Sequence, residues 1–151
     1  MKSLQKIFLV LTLLFSCYSF SQTTSKIIGE WSGIDSDGNQ GKFIFTEDNY
    51  ASMTIGDEFI DGKKYIIKGG KNDGKSGELK YTIDYSKTPF TIDFIASMVE
   101  NNKLVEKGKI LGIIKFISDT EMLLAFSLSG KRDADFNGEN MSTSMTLTKI
   151  N

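Results

Sequence analysis

Residues 79–94 read LKYTIDYSKTPFTIDF, and residues 108–128 read GKILGIIKFISDTEMLLAFSL. In the first stretch Leu79, Tyr81, Ile83 and Tyr85 alternate with Lys80, Thr82 and Asp84. That period of two puts the apolar side chains on one face of a strand. Ser86-Lys87-Thr88-Pro89 interrupts the pattern, and Pro89 has no N–H to give to a ladder. Phe90, Ile92, Phe94 and Ala96 then resume the alternation. Lys109 to Ile117 is apolar on both faces, as a covered strand is. Asp119-Thr120 turns the chain, and Met122, Leu124, Phe126 and Leu128 again share one side. β-like segments joined by short polar turns predict antiparallel neighbours.

The flanks extend the pattern in both directions. Ile27 to Ser32 (IIGEWS) holds the only tryptophan, Trp31. Phe43 and Phe45 alternate with Ile44 and Thr46, and Tyr50 to Ile55 reads as the next strand. Phe59-Ile60 and Tyr65 to Lys68 lie either side of Asp61-Gly62, a dipeptide that favours a tight hairpin turn. Gly69 to Gly77 is a glycine-rich loop. Met98 to Gly108 is mostly polar without a clear strand period and reads as a loop with room for one helical turn. Ser129 to Asn140 is another loop, and Met141 to Ile150 closes the chain as a strand. No run after the N-terminal segment has a helical period. The prediction is all-β: a single antiparallel up-and-down β-barrel of about eight strands, whose closure removes the sheet edges. An interior of that size is filled by side chains or holds one small ligand.

The first residues have a different character. Lys2 and Lys6 precede an apolar run from Ile7 to Phe15, followed by small and polar residues, the order of a secretory signal. The run is too short to span a bilayer, which needs ~20 apolar residues. Ser19-Phe20-Ser21 offers a cleavage site before Gln22. Leu14-Phe15-Ser16-Cys17 offers the alternative of a lipid anchor on Cys17. The expected organisation is a signal peptide at 1–21, a polar leader at 22–26 and a barrel domain at 27–151. The expected address is export, to the periplasm or medium. No transmembrane span is expected in the mature chain. Cleavage before Gln22 leaves no cysteine, so the domain must be held by its own core.

Composition removes several function classes. The chain has no histidine, which excludes Ser-His-Asp and Cys-His catalysis and His-ligated metals. A formal charge of −1 gives no basic excess for nucleic acid.

Specific residues also resemble a known group. Gly29-Glu30-Trp31 resembles the G-x-W that opens many lipocalin-like barrels. Tyr81, Asp84, Lys87, Pro89, Ile92 and Asp93, then Gly112, Ile113 and Asp119, then Arg132 and Phe136, resemble the pattern of exported bacterial lipocalin-like domains of uncharacterised function. Ile114 stands where that pattern has Tyr, Ser118 where it has Gly, and Asp133 where it has Pro. The resemblance implies a lipocalin-like barrel and a basic residue of the last strand over the tryptophan, a part that falls to Lys149.

Candidate ligand-binding residues are Trp31, Tyr65, Tyr81, Tyr85 and Phe116, set against the plainer reading of a filled aromatic core with Trp31 as its plug. Asp133-Ala134-Asp135-Phe136-Asn137-Gly138 matches the first half of a calcium loop, but Ser144 replaces its closing Glu. Polar turns explain it better, so no metal is expected. Asp84 and Asp93 read as solvated strand residues and not as an acid–base pair. The lysines at Lys63, Lys64, Lys68, Lys71, Lys75 and Lys80 are interspersed with Gly, Asp and Glu and read as soluble loop. No catalytic residue and no cofactor is expected. The leading expectation is non-enzymatic binding of a small, mostly apolar ligand. The alternative is a module that contacts a protein partner through its loops.

Overall fold

A computed structural model describes residues 26–35, 38–55, 58–127, 129–137 and 144–150. The strands are β1 (Gly29–Asp35), β2 (Gln40–Phe45), β3 (Ala51–Ile55), β4 (Glu58–Ile60), β5 (Tyr65–Ile66), β6 (Ser76–Asp84), β7 (Phe90–Glu100), β8 (Lys103–Phe116), β9 (Glu121–Ser127) and β10 (Ser144–Ile150). They form one antiparallel sheet in the order β4-β3-β2-β1-β10-β9-β8-β7-β6-β5. The first and last long strands are neighbours, with Trp31 opposite Lys149 and Gly33 opposite Leu147. The protein is thus an all-β, nearly closed antiparallel barrel. Its ten strands exceed the expected count of about eight.

The two extra strands are short and explain the difference. Near one end, β3 and β6 meet directly: Tyr50 bridges Lys80, and the Tyr81 amide donates to the Asn49 carbonyl at 2.9 Å. That end is eight strands around. Towards the other end, β4 pairs with β3 and β5 with β6, but β4 and β5 do not pair with each other. The barrel widens there from eight strands to ten, and diameter grows with strand number.

Asp61-Gly62 does make the expected turn, with the Lys64 amide donating to the Asp61 carbonyl at 3.2 Å. Its arms splay instead of zipping together, because each finds a longer partner on its outer side. Gly62 pins the vertex. Its amide donates to the Ser52 hydroxyl at 2.9 Å, and its carbonyl accepts from the Leu79 amide at 2.8 Å. A Cβ added there would lie 2.3 Å from the Ala51 carbonyl oxygen, so only glycine fits.

Met98 to Gly108 is not a loop. β7 continues to Glu100 and β8 begins at Lys103, joined by Asn101 and Asn102 at φ 50° and 60°. Two successive positive φ values are the hairpin turn that matches strand twist, and asparagine tolerates them. The period of two is broken by a bulge: Ala96 faces Gly108, while Ser97 faces Glu106, leaving Lys107 extra. The last expected strand begins at Ser144; Met141 to Thr143 lie outside the described residues, as do the expected signal segment and Cys17.

The core lies inside the barrel. Trp31, Phe45, Ile92, Phe94, Ile114, Met122, Leu124 and Leu147 are fully buried, each burial stabilising by roughly 1.5–3 kcal/mol. A Gly62→Ala variant should lose about 2–4 kcal/mol, with Leu79 and Tyr81 amide exchange rising first. Gly108→Ala, which meets nothing within 4 Å, should stay within about 0.5 kcal/mol. Urea unfolding of the two variants and amide exchange of the first check this.

Candidate functional site

The narrow end is shut. Lys26 and Ile27 form a helical turn across it, and the Ile27 carbonyl accepts from Trp31 Nε1 at 2.7 Å. Lys149 Nζ sits 5.3 Å from the Trp31 ring centroid and donates to the Lys26 carbonyl at 3.1 Å. The cation faces the ring's negative π surface while a backbone dipole shares its charge. Lys26 also pairs with Asp119 at 2.7 Å, tying the segment to the β8–β9 turn.

The aromatic interior divides into two groups. Trp31 and Phe116 (centroids 6.4 Å apart) continue through Phe90 to Tyr85 at 6.2 and 5.3 Å. Phe45 contacts Phe43, Tyr81 and Phe94, and Phe126 joins Phe43 at 5.8 Å and Phe94 at 5.3 Å. Of the five expected ligand residues, Trp31, Phe116 and Tyr85 belong to the first group and Tyr81 to the second. Tyr65 belongs to neither: its ring covers the place where a Gly77 side chain would be. The five lie in one barrel, four in the two aromatic groups and Tyr65 against Gly77.

The wide end differs. There Ile60, Tyr65, Ala96, Ile110, Phe126 and Met145 pack against the core and are only partly buried. They face inward by register: Ile60 opposes Met53, Ile110 opposes Phe94, and Met145 opposes Leu124. Below them Phe43 and Phe94 are buried. These side chains form an apolar rim over an aromatic floor. Phe126 was marked by the Met122-Leu124-Phe126 alternation. Nothing in sequence placed it on the partly buried rim, because that depends on the widening.

Asp93 corrects the expectation of a solvated carboxylate. It is half-buried and ion-paired through Oδ1 to Arg132 Nη2. Arg132 Nη1 donates to the Gly112 carbonyl at 2.6 Å and the Ile92 carbonyl at 3.1 Å. One guanidinium thus fastens the Ser129–Asn137 segment to the outer wall over β7 and β8. Ile92, Asp93, Gly112 and Arg132, four residues of the lipocalin-like pattern, meet here.

Asp84 is exposed as expected. The Ser86 hydroxyl and amide hold its carboxyl below the usual carboxylate range, which unfits it as a general acid. In the calcium-like stretch Asp135 accepts from the Phe136 amide at 2.8 Å, an ordinary turn contact; Gly138 lies outside the described residues. Among the described residues no three or more His, Cys, Asp or Glu side chains gather as metal ligands, and no helix is long and apolar enough to cross a membrane.

Tyr81 is buried and donates its phenol to the Thr46 carbonyl at 2.9 Å. Burial first, then the Tyr85 and Asp48 charges, push its pKa from 10.0 up to about 12. Burial also raises Tyr65 and Tyr85.

Comparison with protein-family models, with curated proteins and with solved structures gave no match.

The raised phenol predicts an alkaline weakness. A proton held more tightly in the folded state stabilises fully below pH 10.0, and that stability is lost as pH rises towards about 12. Tyr81→Phe should therefore flatten the loss between about pH 8 and about pH 11, leaving the smaller share of Tyr65 and Tyr85; urea unfolding at the two pH values reads it. Arg132→Ala should cost about 1–3 kcal/mol and speed tryptic cleavage at Lys131, measured by mass spectrometry of the nicked chain.

Proposed function

We propose that this protein is an exported, lipocalin-like barrel that binds a small, mostly apolar ligand at its wide end and catalyses nothing. The observation that carries the reading is the widening from eight strands to ten. At the narrow end, the Lys26–Ile27 turn lies over Trp31. At the wide end, Ile60, Ile110, Phe126 and Met145 face inward by register and are only partly buried. Covering their apolar surface supplies the driving force, ~25 cal/mol per Å2. The Trp31–Lys149 stack and the meeting of Ile92, Asp93, Gly112 and Arg132 support the lipocalin-like part. The charged, apolar, small-residue order of the first 21 residues supports export.

A second reading, contact with a protein partner through loops, is favoured by the β7–β8 hairpin. It projects from the wide end with Val99, Leu104 and Val105 exposed.

The test is a titration with N-phenyl-1-naphthylamine. Binding should saturate in the micromolar range, and probe at about 100 times its Kd should stabilise the fold by ~2.7 kcal/mol. Phe126→Asp should weaken binding by about tenfold or more. Absence of saturable binding to the folded protein overturns the reading.

A further inference from the structure

The splayed arms β4 and β5 leave a groove of about 480 Å3 where the wall lacks a strand pairing. Residues that face opposite ways line it. Ile60 and Tyr65 reach the core, while Phe59 and Ile66 are about half exposed on the outside. A groove between two unpaired strands, with residues of both faces along it, marks a gap in the wall, here called the slot. Its lower limit is the Asp61–Lys64 turn, pinned by Gly62. Above, Lys68 Nζ reaches Glu58 Oε1 at 2.5 Å, from the β5 side to the β4 side. Both side chains of this pair are more than half exposed, so water and salt weaken it.

We propose that this slot is a side door: an unbranched alkyl chain carrying a polar head enters the barrel between β4 and β5, and the Glu58–Lys68 pair is the latch. The proposal rests on the binding reading above and names the shape of its ligand. The three residues of β4 span about 10 Å, and both ends of the slot are tied. An alkyl chain passes edge-on through such an opening, whereas a rigid polycycle needs the pinned turn to break. The outer lips, Phe59 and Ile66, give the chain apolar contact before it meets Ile60 and Tyr65 inside. Its head stays at the charged latch, where water solvates it and where no interior group has to receive it. Opening moves only short arms, each held by one neighbour, which are the least stable part of the sheet.

The test uses the full chain carrying Glu58→Cys and Lys68→Cys, with Cys17→Ser so that no other thiol competes. Bis-maleimidoethane ties the arms together; N-ethylmaleimide on the same thiols caps them without a tie. The probe is trans-parinarate, an unbranched chain that is itself fluorescent, followed at equilibrium and by stopped flow. The tied barrel should take up and release the probe at least about tenfold more slowly than the capped one, with affinity within about twofold, since a gate changes rates and not the end state. Separately, Glu58→Lys should speed exchange, and Glu58→Lys with Lys68→Glu should restore the slow rate. Equal exchange in tied and capped barrels overturns the side door and assigns loading to the wide end. Loss of affinity in the tied barrel also overturns it, making the slot part of the resting site. If the capped, tied and unmodified chains all fail to bind, the binding reading falls, and the side door with it.

Discussion

The seam of the barrel is held by a residue with no side chain. Gly62 lies against the Ala51 backbone so closely that no Cβ can be added, and from there it bonds to Ser52 on β3 and Leu79 on β6. Below it the same seam is held by the Tyr50–Lys80 bridge, the Asn49–Tyr81 backbone bond and the Tyr81 phenol on the Thr46 carbonyl. A vertex placed on the seam also fixes where the two short arms start, and so where eight strands become ten. The eight-strand end, the ten-strand end and the groove between β4 and β5 all follow from one close backbone approach.

The opposite end obeys a different logic. Trp31 is fully buried, and a buried indole N–H without a partner is costly. The chain answers this with the Ile27 carbonyl, which obliges the residues before β1 to cross the barrel floor. That crossing exposes the Lys26 carbonyl to Lys149 and its ammonium to Asp119. Plug, cation and first strand are therefore one unit. The charge of Lys149 sits inward, where the indole face and a carbonyl dipole share it.

Much of the fold was legible because alternation is local. Leu79-Tyr81-Ile83, Phe90-Ile92-Phe94 and Met122-Leu124-Phe126 each declare a face within six residues. The misreadings came where the deciding interaction is not local. Met98 to Gly108 has no inside face for most of its length, since the hairpin stands beyond the barrel, so alternation carries no information there. The Asn101-Asn102 pair was the remaining signal, a turn dipeptide between Val99 and Leu104. Asp61-Gly62 declares the turn that is found, but sequence shows the vertex and not the separate partners of its two arms. Asp93 looked solvated because its partner, Arg132, lies 39 residues away. Aromatic side chains such as Trp31, Tyr65, Tyr81, Tyr85 and Phe116 mark a core as readily as a pocket, and sequence alone does not separate the two.

Edges explain the remaining surface. A chain with one cysteine has no internal disulfide to resist edge-to-edge association. Closure hides most strand edges, and β4 and β5 are too short to template another sheet. The outer edge of β8 from Lys103 to Ile110 is longer, since β9 pairs only from Leu111 onward. It carries Lys103, Lys107 and Lys109, and its register is broken at Lys107 by the bulge. Lysines and a bulge are what keep an open edge from recruiting a stranger. The same hairpin shows Val99, Leu104 and Val105 to water, so the guard acts on the backbone and leaves the apolar side chains accessible. A partner that met this hairpin would have to use those faces and not extend the sheet. The slot has the opposite design: its two edges carry no lysine within β4 or β5, and a single exposed ion pair spans them.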